Sequence, residues 1–554
     1  MTSILRGAAL LCLSSGAASA TTVDSYFTTS PGVVAPGFPA TGSRTLSNQG
    51  FHLADGGRQT LFMTSTSAQF GYQGMFAFDG VQSTPVAVLA TSQAAGPGRS
   101  GGEIAHQFFE AGSSRPFDHF EQGGSGQVVF YGKAGNPMLG SGGATRGLWL
   151  HTGLGNLEIA RAGVTGPLGP GLGSLAFEDS DTFSRRLMYA QGGRLLTHAR
   201  VGTGASYDDA LLSWNGSWQP CAQDASSSDA LDPGIAGTVF ENLGSGWSYA
   251  ILSNNRVFGL NRIDSDRMGV WAFCDGQPRP LALESGSGAL GPGMGPMSLF
   301  TDLRGELTGW GDDGVVVVGF GKVDDLPGTV ANDGYFLLRE SGNRPIALDR
   351  RTDAYGPQLP GYMFTSFAGD NAGAGRWFAF YATINGAGGS LEGIFRWHPQ
   401  VGIQPVALLR MPTYSPSSTT FWGALPAFAL APNGDVIVYG SACDRAPDGV
   451  TCLATTTDTA FWRVPAVGAV SRLLGPGDTL RFQQVAGGAS AAPITAVHTG
   501  WFNRGFGSSF DSNGRDGWLS SDGWMMAKVD VVGATHYVRL RAFDPDVLLS
   551  DGFE

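Results

Sequence analysis

Charge is scarce in this chain. Asp, Glu, Lys and Arg make up 14% of its 554 residues, and lysine occurs only as Lys133, Lys322 and Lys528. The acids outnumber the bases, for a formal net charge of −12. No basic run is present, which disfavours nucleic acid and anionic membrane surfaces as partners, since both need a cationic footprint. No apolar run after the first twenty residues reaches the roughly 18 residues of a membrane-spanning helix. No apolar pattern at i, i+3, i+4 and i+7 is sustained there either, because Gly and Pro interrupt nearly every window. The zinc-binding H-E-x-x-H helix and the phosphate-binding P-loop are missing too.

Glycine is abundant, at 85 residues, and it sits at turns between short apolar strands. The stretch Gly269-Val270-Trp271-Ala272-Phe273-Cys274-Asp275-Gly276-Gln277-Pro278-Arg279-Pro280-Leu281-Ala282-Leu283 reads as strand, Asp-Gly turn, strand. Copies start near Gly74, Gly147, Ala210, Gly334, Gly393, Ala460 and Gly523, a period of about 63 residues that marks a repeat architecture. Ahead of the hairpin runs a β-branched and aromatic strand, such as the one from Asp313 or Asn433. Behind it comes a Gly-Pro exit, as at Gly96, Gly169, Asp232, Gly291, Leu359 and Gly475. An aromatic often follows a few residues later, such as Phe240, Phe300, Phe364 or Phe421. Four strands per unit predict an all-β fold, a single β-propeller of about eight four-stranded units. Seven blades with an irregular terminal unit is the alternative, and an open solenoid comes third.

The repeat covers residues 21–543. Residues 1–20 read as a signal peptide, with Arg6, a short apolar core and the small-x-small site Ala18-Ser19-Ala20, so that Thr21 begins the mature chain. A secreted or periplasmic location follows. Residues 544–554 form an acidic tail. The segment before the first hairpin is expected to complete the last unit, removing a sheet edge. Among the cysteines beyond the leader, Cys443 and Cys452 bracket one loop and are expected to pair, while Cys221 and Cys274 lie in adjacent units where a bridge between neighbours is feasible.

Candidate chemistry is thin. The formal G-x-S-x-G match at Gly98-Arg99-Ser100-Gly101-Gly102 lacks the strand and helix that a nucleophile elbow needs. One long loop gathers Glu103, His106, Glu110, Asp118 and His119, the single local cluster with general-base or metal potential. Asp511-Ser512-Asn513-Gly514-Arg515-Asp516 partly matches a calcium loop but lacks its closing Glu, so no cofactor is assigned. The aromatics Trp149, Trp214, Trp271, Phe336, Phe395 and Trp462 recur in the units and are assigned to the core. Trp214-Asn215-Gly216-Ser217-Trp218 is expected to pair its two Trp residues across a tight turn.

Taken together, NGDVIVYG at Asn433, GIFRW at Gly393, PVALL at Pro405 and GPG at Gly291 resemble a family of secreted bacterial tandem-repeat proteins. That resemblance implies a propeller-like fold without known function and supplies no catalytic residues. The ending Asp551-Gly552-Phe553-Glu554 is similar to a tail on exported proteins of some gammaproteobacteria. The expected role is extracytoplasmic binding or scaffolding by a monomer, with an extracellular protein or glycan as partner. The competing class is a propeller hydrolase or lyase acting on an extracellular polymer such as a polysaccharide.

Overall fold

The computed structural model describes residues 21–28, 52–53, 60–64, 74–79 and most of 83–544. The leader at 1–20 and the tail from 545 lie outside the described residues, as does the calcium-like stretch at 511–516. The described residues form eight successive sheets, antiparallel in the first seven, at 52–88, 107–161, 176–223, 240–283, 299–348, 362–408, 420–474 and 479–541. We number them one to eight. Each of the first seven has four strands in chain order, with the first strand split in two in sheets two, three and four.

The recurring hairpin supplies the third and fourth strands. Its pairing shifts register at one position in all seven of these sheets, between Met75 and Phe76, Leu148 and Trp149, Leu211 and Leu212, Val270 and Trp271, Tyr335 and Phe336, Ile394 and Phe395, and Phe461 and Trp462. The bulge turns a carbonyl toward the glycine that opens the strand. A Cβ on Gly269 would stand 2.8 Å from the Ala282 oxygen and within 2.5 Å of the Trp271 ring. The pattern Gly-x-aromatic therefore has a steric cause: the glycine leaves room for both the bulge and the ring folded back over it.

Trp149, Trp271, Phe336 and Phe395 are fully buried, as expected. Trp214 departs from the set. Counted from the strand start, its register belongs to Leu212, which is buried, and Trp214 itself is half-buried beside Trp218, its cross-strand partner. Trp462 keeps the register and is also half-buried.

The Gly-Pro exits hold the sheets together. The glycines Gly98, Gly171, Gly234 and Gly293 all adopt left-handed backbone, at φ +65, +75, +69 and +72. Each presses its Cα against a carbonyl of the next sheet's hairpin, at Asn156, Trp218, Pro278 and Asn343. A side chain would be strained by the dihedral and blocked by the contact. Among the described residues, single parallel bridges link the end of one sheet to the first strand of the next at five junctions: Leu89 with Phe108, Ala162 with Phe177, Glu284 with Phe300, Asp349 with Phe364 and Leu409 with Trp422.

Seven hydrophobic cores lie between consecutive sheets. Met75 and Val86 pack with Phe130 and Trp149 between sheets one and two, and the series continues to Trp422 and Val438 between six and seven. The last core joins Phe461 of sheet seven, Met525 and Val538 of sheet eight, and Phe76 and Val88 of sheet one. Sheet one thus shares a core with sheets seven and eight, and the class is a β-propeller. Thr22–Thr28 lies inside sheet eight, parallel to Thr479–Gln483 on one side and antiparallel to Ala534–Arg541 on the other. The expected completion of the last unit by the early chain is met, and that sheet has six strands.

Both disulfides form. Cys221 and Cys274, with Cα atoms 4.5 Å apart, tie sheet three to sheet four. Cys443 and Cys452 close the loop between the second and third strands of sheet seven.

Candidate functional site on the first strands

The first strands of neighbouring sheets approach one another: Asp118–Gln122 meets Arg186–Tyr189, Tyr249–Ile251 meets Leu299–Trp310, and Tyr362–Ala374 meets both Leu299–Trp310 and Thr420–Leu430. Each is interrupted at about the same level. Sheets two, three and four break there, whereas sheets five, six and seven carry wide bulges between Arg304 and Thr308, Phe367 and Asn371, and Ala424 and Ala427. Bulges re-aim side chains and are frequent beside functional sites.

The bulged residues face outward from the packed strands. Arg304, Gly305 and Glu306 are exposed in sheet five, Asp370 in sheet six, and Gly423, Ala424 and Pro426 in sheet seven. Their flanks are anchored. Leu303 and Leu307 are buried, and their N–H groups donate to Glu284 Oε1 at 2.9 Å and to Ser248 Oγ at 2.6 Å. Thr308 donates to Asn371 across the gap between sheets five and six, and the Gly311 N–H donates to the Gly375 carbonyl at 2.7 Å. The exposed groups therefore stand on a fixed backbone.

A charged row crosses the sheets at the neighbouring level. In sheet three it runs Glu178, Arg200, Asp209, Asp224; in sheet four Glu241, Arg262, Met268, Glu284; in sheet five Asp302, Phe320, Asp333, Asp349. Each is a set of laterally adjacent residues, so the side chains share one face. Arg200 pairs with Glu178 at 3.2 Å, and the buried His198 lies 3.4 Å from Asp209. Arg304 reaches into the row, 3.1 Å from Asp333 and 3.8 Å from Asp302, with its guanidinium 4.3 Å over the Phe320 ring.

Several of these acids do structural work. Glu284 accepts N–H bonds from Met268 and Leu303, both at 2.9 Å, and Asp224 accepts one from Leu243 at 2.9 Å. Burial pushes the Glu284 carboxyl above the usual range, against those two backbone donors. Burial likewise pushes Asp333 up, with Arg304 opposing. In sheet six, burial raises the Tyr381 phenol, and its bond to Glu392 at 2.9 Å and the nearby Asp370 raise it further. The bulges expose the Arg304 guanidinium, paired with Asp333, and the carboxylates of Glu306 and Asp370, beside a small-residue surface on sheet seven. Such a set can hydrogen-bond and orient a polar ligand.

The loop cluster picked from the sequence is distributed differently. Glu103 and Glu110 lie outside the described residues. His106 precedes Gln107–Phe109, which pairs with Lys133–Gly135, while Asp118 lies opposite Tyr131 in the middle of the same strand. Asp118 and His119 stand in the second half of a split strand, and the rise along a strand sets His106 and Asp118 roughly 16 Å apart. Ser100 and Gly101 of the G-x-S-x-G match pair with Ala105 and Ile104 in a short ribbon. Among the described residues, no group of three or more His, Cys, Asp or Glu is placed to hold a metal ion. The charged row was missed in the sequence. Its signal is positional: Asp209 and Asp333 precede the third-strand start, and Asp224, Glu284 and Asp349 follow the fourth strand.

No family model and no curated protein matches the sequence. Among solved structures, the chain is similar to prolyl oligopeptidase B from Galerina marginata, at 8% identity over 81% of this chain and 55% of that one, with a TM-score of 0.33. It is similar to the Dos1 propeller at 11% identity over 90% and 95%, TM-score 0.34. It is similar also to the PL25 polysaccharide lyase ulvan lyase at 8% identity over 94% and 96%, TM-score 0.28. The chain spans about half the length of the peptidases it matches. Likenesses this distant carry no argument about function.

Proposed function

We propose that the protein is exported, processed after Ala20, and acts outside the cytoplasm as a binding propeller whose ligand sits against the first strands. The observation that carries this reading is the alignment of bulges in sheets five, six and seven, which present Arg304, Glu306 and Asp370 on anchored backbone. Nearby acids such as Glu284 and Asp224 spend their oxygens on backbone N–H groups, which suits a scaffold more than a proton-transfer site. The ligand class that fits is polar and hydroxyl-rich or amine-bearing, so a glycan or a segment of an extracellular protein. Two disulfides and the absence of a long apolar helix among the described residues are consistent with that location.

A thermal-melt screen of the mature protein against glycans, basic and neutral peptides, calcium and chelator tests it. A ligand at a hundredfold excess over its dissociation constant adds about 2.7 kcal/mol to the folded state. A melting shift with one ligand class supports the reading. Release of shorter products from a polymer would replace it with the hydrolase or lyase class.

A further inference from the structure

Asp478 is fully buried, directly after the Gly475-Pro476-Gly477 exit of sheet seven. Its Oδ1 accepts the backbone N–H of Thr21 at 2.7 Å and an N–H of Arg472 at 3.2 Å. Its Oδ2 accepts the Gly475 N–H at 2.8 Å and Arg472 again at 3.3 Å. The Thr21 carbonyl in turn accepts the Thr479 N–H at 2.9 Å. Thr21 is thereby clamped at the head of Thr22–Thr28, the strand that lies within sheet eight and sends Val23 into the core shared with sheets seven and one.

Thr21 is also the residue that follows Ala18-Ser19-Ala20. Two independent observations meet on one peptide bond: a small-x-small cleavage site before it, and a buried carboxylate against the nitrogen just after it. We propose that hydrolysis of the Ala20–Thr21 bond makes the Thr21 α-ammonium a structural partner of Asp478, so that removal of the leader completes the lock on the last sheet. The proposal rests on the reading that the chain is exported and processed.

The chemistry balances with water alone. Water adds its hydroxyl to the Ala20 carbonyl carbon, the C–N bond breaks, and the Thr21 nitrogen leaves with the remaining proton. One further proton from solvent makes the ammonium. Before cleavage, that nitrogen is a neutral amide with one hydrogen to offer. Afterwards it is a cation with three, held against a carboxylate that water does not reach. The bond to a carboxylate is charge-assisted in both states, but only after cleavage are both partners charged, and a buried ion pair loses most when one member is removed. Arg472 then has a second cation sharing its carboxylate, with its own Nη2 donating to the Pro476 carbonyl at 2.6 Å.

Two measurements test this separately. Intact-mass analysis of the exported protein reads the processing, with the chain expected to begin at Thr21. A start at any other residue overturns the export-processing reading and the maturation step with it. The lock is read by melting purified chains of defined start. A chain beginning at Ala20, in which the Thr21 nitrogen is again an amide, is expected to melt about 2–5 °C below one beginning at Thr21. Asp478→Asn should lower the melting point of the Thr21 chain and erase the difference between the two starts. Should that variant not fold, acetylation of the Thr21 α-amine, which keeps an N–H and removes the charge, is expected to give the same fall. Equal melting of the Thr21, Ala20 and acetylated chains overturns the lock while leaving the processing intact.

Discussion

Trp271 donates its indole N–H to the carbonyl of Pro233 at 3.0 Å, reaching from the third strand of sheet four to the exit loop of sheet three. Trp149 does the same to Pro97 at 3.1 Å, two sheet pairs earlier. The bond repeats because the motif repeats. A glycine makes room for the ring, and the Gly-Pro or Asp-Pro exit turns a carbonyl toward it. Trp271→Phe keeps most of the apolar contact but leaves that buried carbonyl without its donor. The expected loss is about 1–2 kcal/mol, against about 3–5 kcal/mol for Trp271→Ala, read by chemical denaturation.

The exit glycines are predicted to differ in tolerance. Gly234 has φ +69, and a Cβ would stand 2.6 Å from the Pro278 oxygen, whereas Gly361 has φ +79 and open space around it. Gly361→Ala should cost only the left-handed backbone, about 1 kcal/mol. Gly234→Ala must also push two sheets apart and should cost clearly more, measured as the difference between the two melting curves.

The bridge from Cys221 to Cys274 closes 53 residues and crosses the boundary between sheets three and four. Replacing both with Ser should lower stability by about 2–4 kcal/mol, mostly through the denatured chain. Cys443 and Cys452 close only 9 residues, so their replacement should cost less. Unfolding under matched denaturant series compares the two.

His536 gives an acid signature. Burial holds its pKa down at about 4, with Asp530 opposing, and its ring packs tilted against Phe482, with centroids 4.7 Å apart. The folded state keeps the imidazole neutral, while the unfolded chain takes up a proton below its ordinary value near 6.5. Stability is therefore full above about pH 6.5 and falls as pH drops toward 4, by roughly 2 kcal/mol at pH 5. In His536→Gln that part of the pH slope should vanish, whatever the variant's absolute stability, in denaturation series from pH 7 to 4.5.

The period, the hairpin, the exits and both disulfide pairings were legible in the sequence, because each depends on residues close together in the chain or recurring at a fixed interval. Even the entry of the early chain into the last sheet followed from the need to hide an edge. What escaped notice depends on lateral adjacency. Glu178, Arg200 and Asp209 become neighbours only once three strands take their register, and the bulge that carries Glu306 reflects tertiary pairing. Thr21 and Asp478 are 457 positions apart. Trp214 shows the reverse failure: composition put it with the core aromatics, but strand alternation assigns that place to Leu212.

Ligand binding on the first-strand bulges can be tested by a single comparison. The ligand that most raises the melting point is titrated by calorimetry into the native protein and into the triple variant Arg304→Ala, Glu306→Ala, Asp370→Ala. The account predicts a fold that melts within a few degrees of native and an affinity reduced at least tenfold, the equivalent of about 1.4 kcal/mol. Unchanged affinity in the folded triple variant would contradict it and move the site elsewhere on the propeller.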